Sequence, residues 1–248
     1  MNESNVIIEL NDVTIRYNIA SEKIYDLKEY AIKMLTGKLH FKEFFALNDV
    51  SFQIHQGESW GIIGKNGAGK STLLKTICGI IDPYRGSVKA EGYIAPMIEL
   101  SAGMDSNLTA AENIFLNGAI LGNSRKFMKT HFDEIVDFAE IHKFLETPIK
   151  NYSSGMRARL GFAVATIVKP DILIVDEVLA VGDFEFRKKC ENRIQELLEG
   201  GTTLLLVSHA VNDIKKLCDN AIWIEDGKVR MIGDSKTVCD SYMESGKS

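Results

Sequence analysis

No uninterrupted apolar run in these 248 residues approaches the ~20 residues that a membrane-spanning helix needs. The N-terminus, Met1-Asn2-Glu3-Ser4-Asn5, also lacks the basic region and apolar core of a secretory signal. Any membrane role is therefore expected to come through a partner or by lying on a surface. Basic charge is not in excess: 29 Lys and Arg stand against 34 Asp and Glu, a formal net charge of −5, which argues against a nucleic-acid backbone as the main partner. Cysteine is scarce and scattered, at Cys78, Cys190, Cys218 and Cys239, with neither metal-ligand spacing nor a redox pair. These thiols are expected to be reduced and mostly buried as core filler. Internal repeats and low-complexity tails are absent too.

What is present is globular. Apolar content of 45% and charged content of 25% match ordinary folded domains, and the length suits one large α/β domain or two small ones with a sizeable core. Val6 to Tyr17 and Ala46 to Ile54 alternate apolar and polar residues, as strands of an antiparallel region do. Between them Ile24, Leu27, Ala31, Met34 and Leu35 fall on one helical face. That amphipathic helix either packs on its host domain or serves as a docking or gating element for a membrane partner. Val88 to Ala95 reads as a further strand. Leu108 to about Val168 reads mainly as helices, over Ala111 to Gly118, Phe127 to Phe138 and, past a break at Pro148, Leu160 to Val168. From Asp171 strand and helix alternate: Ile172 to Val175, Phe184 to Leu198, Thr203 to Val207, Val211 to Leu217, then a hairpin with an Asp226-Gly227 turn. Such alternation predicts a parallel sheet covered by helices on both faces.

Two stretches carry chemistry. Gly64-Lys65-Asn66-Gly67-Ala68-Gly69-Lys70-Ser71-Thr72 lies between the apolar run Trp60 to Ile63 and a helix starting near Lys70. It fits the phosphate-loop pattern, in which small residues let backbone N–H groups wrap a phosphate chain and the helix adds its positive dipole end. Lys70 would then reach the β- and γ-phosphates, and the Ser71 hydroxyl would ligate Mg2+. Ile172-Leu173-Ile174-Val175-Asp176-Glu177 ends an apolar run in two carboxylates, placing them at the C-terminal edge of a central parallel strand, where such sheets bind ligands. There Asp176 would hold Mg2+ through its water shell and Glu177 would polarise the water that attacks the γ-phosphate.

Asn151-Tyr152-Ser153-Ser154-Gly155-Met156-Arg157-Ala158-Arg159-Leu160 resembles the signature motif of ATP-binding-cassette (ABC) ATPases. The other cassette motifs follow in order over nearly the whole chain. Leu179-Ala180-Val181-Gly182-Asp183 looks like the family's D-loop, and Ser208-His209 looks like its switch histidine. The resemblance makes Tyr17 the aromatic that stacks on adenine. It implies an ABC-type α/β fold with a mainly parallel core sheet, an antiparallel β subdomain and a helical signature subdomain. Within a single domain over 1–248, the β subdomain with its helical insertion would cover about 6–54, the phosphate loop and core would run from about 59, the helical subdomain would take about 96–168, and the core and switch region 171–248. It further implies ATP and Mg2+ as ligands. Two copies would face each other head to tail, so that Ser153, Ser154, Gly155 and Met156 of one complete the site of the other, with Ser153 capping a helix whose dipole aims at the partner's γ-phosphate.

Departures narrow the resemblance. Tyr-Ser-Ser-Gly-Met stands where most cassettes have Leu-Ser-Gly-Gly-Gln, and near the Q-loop the chain reads Ile98-Glu99-Leu100, which leaves Glu99 as the nearest candidate for the Mg2+-ligating post. With Leu108 to Gly118 and Asp176 to Asp183, these look like ATPase subunits of bacterial exporters of O-antigen, teichoic acid or related lipid-linked glycans. The implied partners are a second copy and an integral membrane permease carrying the glycan, with no nucleic acid. The implied place is the cytoplasmic face of the inner membrane. Some members add a C-terminal carbohydrate-binding domain; this chain stops at Ser248, so it either lacks that domain or is a piece of a longer one. Three other readings stay open from sequence: an ATPase for a different ABC transporter cargo, a soluble mechanical ATPase acting on nucleic acid or ribosomes, and a nucleotide-gated regulator that barely hydrolyses. The motifs see phosphates and not cargo, so they do not name the glycan.

Overall fold

The computed structural model describes residues 5–20, 41–97, 103–176, 183–208 and 210–246. β1 (Val6–Ala20) and β2 (Phe41–His55) form an antiparallel ribbon from Val6↔His55 out to Ala20↔Phe41. The chain then enters β3 (Ser59–Ile63), winds α1 (Lys70–Ile77) and returns as β4 (Arg85–Ala90), which pairs with the other side of β1. In this three-stranded sheet Ile8, Leu10, Val13 and Ile15 are buried, while Glu9 and Gln53 bond each other on the wet side at 2.6 Å. One buried face and one solvated face is what the alternation in the sequence specifies.

The second sheet holds β3 with β5 (Ile94–Met97), β6 (Ile172–Asp176), β7 (Thr203–Val207), β8 (Asn220–Glu225) and β9 (Lys228–Asp234), in the order β5-β6-β7-β3-β8-β9. All neighbours are parallel except β8 and β9, joined by the Asp226-Gly227 turn with φ of 49° and 74°. Two positive φ values in a two-residue hairpin match a type I′ turn. β3 and β7 are buried along their whole length, which accounts for their unbroken apolar runs. One face of this sheet, including Ile62, Ile174, Leu205 and Ile222, packs with α1 and the antiparallel sheet. Leu73, Leu74 and Ile77 of α1 are 2% exposed or less, each burial being worth about 1.5–3 kcal/mol.

Between β5 and β6 lie α2 (Ala110–Ile120), α3 (Arg125–Thr130), α4 (Phe132–Ala139) and α5 (Ser154–Ala165). They enclose their own cluster of Ile114, Met128, Ile135, Val136, Leu160 and Val164. The other face of the six-stranded sheet, with Ile63, Leu173, Val175 and Leu206, is covered by Phe162 of α5, α6 (Phe184–Glu199), α7 (Val211–Leu217) and α8 (Ser235–Ser245). Phe138, Phe162 and Phe186 stack and edge against one another where the helical bundle meets α6.

Several expectations are corrected. The strand expected over Val88 to Ala95 is two strands in different sheets, because Gly92 at φ 99° turns the chain between β4 and β5. Phe127 to Phe138 divides at His131 into α3 and α4. The helix expected to reach Val168 starts at Ser154 and ends at Ala165, as Thr166 turns its hydroxyl back to the Phe162 carbonyl at 2.8 Å. The amphipathic helix over Ile24 to Leu35 lies outside the described residues. Cys190, Cys218 and Cys239 are buried and Cys78 is half-buried, all as free thiols. Burial pushes Cys190 up to about 12 and Cys78 up to about 11, so these are unreactive core groups.

Candidate functional site

The loop from Gly64 to Gly69 crosses from the end of β3 to the start of α1. Its shape is imposed from outside. A side chain at Gly64, with φ 153°, would put its Cβ 2.2 Å from the Ile224 carbonyl oxygen, and one at Gly69, with φ 109°, would come 2.5 Å from that of Ala46. Only glycine admits such approach. The hairpin turn completes the grip: Gly227 N donates to the Ala68 carbonyl at 3.0 Å, and Asn48 N donates to the Gly227 carbonyl at 2.8 Å. Within the loop Ala68 N donates to the Lys65 carbonyl at 3.1 Å.

Lys70 is 7% exposed, and its Nζ donates to the carbonyls of Gly64 at 2.8 Å and Lys65 at 3.1 Å. A cation so far from water needs oxygen partners, and the loop supplies them from its own backbone, tying its N-terminal end to the first residue of α1. At the same place Gly69 caps α1 without any side-chain hydrogen bond. The first N–H groups of a helix have no partner within it, and glycine has no side chain to cap them, an arrangement that suits an anion. Lys65, Asn66 and Gly67 are exposed, a Cβ at Gly67 would meet nothing within 4 Å, and Ser71 is exposed beside half-buried Thr72. Uncapped N–H donors, a held ammonium and open space on one side fit a phosphate chain.

The sheet brings Asp176 to the same edge. Val207 of β7 pairs with Ile62 of β3 on one side and with Asp176 of β6 on the other. Asp176 therefore lies two strands, roughly 10 Å, from the strand that launches the loop, half-buried at the carboxyl end of its own strand. Ser208 follows β7 at this edge; its hydroxyl donates to Asp213 at 3.2 Å and accepts from Ala210 N at 3.1 Å, fixing the entry to α7. Glu177, His209, Glu99 and Gly182 lie outside the described residues. Tyr17, 38% exposed, sits on the protruding part of the β1–β2 ribbon.

Ser153 caps α5, its hydroxyl accepting from Met156 N at 3.1 Å. Ser153 and Ser154 are exposed, and Gly155 and Met156 are half-buried. Tyr152 before them is anchored: its ring is 4% exposed, its hydroxyl donates to the Phe144 carbonyl at 2.8 Å, and burial raises it to about 12. Asp183 caps α6 through Phe186 N at 2.9 Å, and this bond, with Arg159 beside it, holds the carboxyl below its usual range. Sequence reading gave Arg159 no role. It joins both segments, reaching Glu140 and Asp183 at 2.5 Å each and lying 4.6 Å over the Phe186 ring. The Ala46 and Gly227 clamp on the loop was also missed; the visible signal was only the Asp-Gly turn, whose tertiary partner no local pattern reveals.

Residues 47–180 match the ABC transporter family. The chain is 44% identical to the O-antigen export system ATP-binding protein RfbB of Klebsiella pneumoniae over 87% of its own length and 86% of that protein's. It is 40% identical to the teichoic acids export ATP-binding protein TagH of Bacillus anthracis, over 97% of its own length and 43% of that protein's. Among solved structures, the ATP-binding subunit of an ABC transporter superposes with a TM-score of 0.75 at 21% identity, covering 95% of this chain and 93% of the other. A dimeric post-hydrolysis ATP-binding cassette bound to ADP and Pi gives 0.72 at 23% identity, covering 92% and 98%. At that identity the structures speak for the fold alone, but the sequence matches reach further: this chain belongs to the ABC transporter family.

Proposed function

We propose that this chain binds and hydrolyses ATP to power export of a lipid-linked polysaccharide across the bacterial inner membrane, working as a pair on the cytoplasmic face with a separate permease. The observation that carries the ATPase reading is the held Lys70 ammonium beside the uncapped start of α1, at the sheet edge shared with Asp176. The polysaccharide reading is supported by the identity to relatives that serve O-antigen and teichoic acid export.

In this mechanism the backbone N–H groups of Gly67 and of Gly69 to Ser71, with the Lys70 ammonium, bind the phosphates and orient the terminal one, while the Ala68 N–H stays on the Lys65 carbonyl. Tyr17 stacks on the adenine. The Ser71 hydroxyl and Asp176 suit Mg2+, which keeps several waters and takes few protein oxygens; Glu99 would be a further oxygen. When bound, that ion neutralises charge building on the β- and γ-phosphates. Glu177 takes the proton of the attacking water and His209 contacts the γ-phosphate. The exposed Ser153 and Ser154 at the start of α5 present hydroxyl and N–H donors to the γ-phosphate held by the partner copy, with Gly155, Met156 and the D-loop residues Gly182 and Asp183 at the same seam.

The test is the assembled exporter carrying Glu177→Gln. ATP binding should persist while phosphate release falls by about 10²–10⁴-fold, and cells relying on that variant should accumulate lipid-linked glycan on the cytoplasmic side. Unchanged phosphate release would overturn the catalytic assignment; normal glycan export by cells lacking the chain would overturn the cargo.

A further inference from the structure

Past the body of the antiparallel sheet the β1–β2 ribbon carries aromatic rings on both faces. Directly paired residues of an antiparallel ribbon share a face, with Cβ atoms ~4.5–5.5 Å apart, and Tyr17 pairs with Phe44. On the opposite face Arg16 pairs with Phe45, and that face is occupied: Arg16 bonds Glu43 at 2.6 Å and stacks 3.8 Å over Tyr84. Tyr17 and Phe44 have no such cover. Phe44 is 47% exposed, and neither ring stacks on another ring or cation among the described residues.

The face they share is the one turned to the phosphate loop. Tyr17 and Ile15 are two apart on β1 and so project alike; Ile15 pairs with Leu47, and the extra residue of β2 at this point is taken up by a bulge. Leu47 lies against the loop, since a Cβ at Gly69 would meet its Cδ2 at 3.0 Å. The paired rings thus stand about 7 Å further along the ribbon, which leaves room for a sugar between phosphates and base.

We propose that Phe44 joins Tyr17 in holding the nucleobase of bound ATP, the two rings forming one platform at the outer end of the ribbon. This rests on reading the loop as the nucleotide site. Stacking on aromatic faces binds a flat base without hydrogen bonds to its edge, so each ring adds affinity for the base and none for the phosphates.

The experiment titrates the purified chain with ATP and with inorganic tripolyphosphate, which has phosphates but no base. Phe44→Ala should weaken ATP roughly 5- to 100-fold and leave tripolyphosphate unchanged, and Phe44→Trp should restore ATP binding. The inference is overturned if Phe44→Ala binds ATP normally while Tyr17→Ala does not, or if both ligands weaken together, since the damage would then lie in the loop or fold. Should Tyr17→Ala and Phe44→Ala both bind ATP normally while Lys70→Ala binds neither ligand, the base lies elsewhere and only the ribbon assignment fails. Undiminished ATP binding by Lys70→Ala would instead bring down the nucleotide site itself.

Discussion

At the scale of single residues the site is a set of close approaches. The Gly64 and Lys65 carbonyls face the nearly buried Lys70 ammonium and help it stay charged, and Gly64 can offer its carbonyl there only because it has no Cβ to strike Ile224. Gly64 and Gly67 are therefore unequal. Gly64→Ala forces a Cβ to 2.2 Å from a backbone oxygen at φ 153°, whereas Gly67→Ala, at φ 79°, meets nothing within 4 Å. Strained backbone of this kind costs about 1–3 kcal/mol, and Gly64→Ala adds a clash that β8 must move to relieve. In urea unfolding both variants should lose stability through that strain, and Gly64→Ala should lose more because it alone carries the clash; it should also bind ATP poorly even where it remains folded. Equal loss by both variants would show that the grip of β8 on the loop is not what shapes it.

At the scale of elements, the start of α5 would join a helix cap to the proposed contact with the partner's nucleotide. Its Ser153 cap satisfies Met156 N, and a cap of this type contributes about 1 kcal/mol. Ser153→Ala should lower the stability of the isolated chain by that amount in denaturant unfolding, yet leave its ATP affinity unchanged, because the hydrogen bond closes within α5 and not at the chain's own loop. A fall in the affinity of the isolated chain would mean that α5 acts in cis. How far these elements were legible follows from their physics. β3, β6 and β7 are buried on both faces, so their apolar runs announce them, and the loop after β3 carries its pattern in adjacent residues. The same holds for Ser153 and Asp183, which precede helices at capping positions. Local pattern fails where tertiary partners decide. Val88 to Ala95 reads as one strand since Val88 and Ala90 alternate with charges and Tyr93 to Ala95 is apolar, and only the separate sheets that take β4 and β5 divide it. Arg159 looks like a solvated helix charge until α4 and α6 bring Glu140 and Asp183 to it. Phe44 looks like core until the ribbon is seen to outrun its sheet.

At the scale of the whole molecule, the proposed function gives each chain two half-sites. The phosphate loop, with its open side at Lys65 to Gly67, and the start of α5, with Ser153 and Ser154 exposed, carry complementary charge only once a phosphate chain is bound between them. In a two-fold dimer any contact of one surface with another occurs twice, so loop against α5 makes two equivalent nucleotide seams and leaves neither element unpartnered. Bound ATP is then part of the interface, and association should follow it. Slowing hydrolysis with Glu177→Gln should therefore yield a dimer with ATP and Mg2+ and a monomer without nucleotide, as measured by sedimentation velocity. Ser154→Glu in that background spares the Ser153 cap but sets a carboxylate against the partner's γ-phosphate, where like charges repel; it should return the protein to monomer while each chain still binds ATP. A dimer that survives Ser154→Glu, or forms equally well without nucleotide, would place the contact between copies on some other surface, since neither result is compatible with a phosphate clasped between loop and helix.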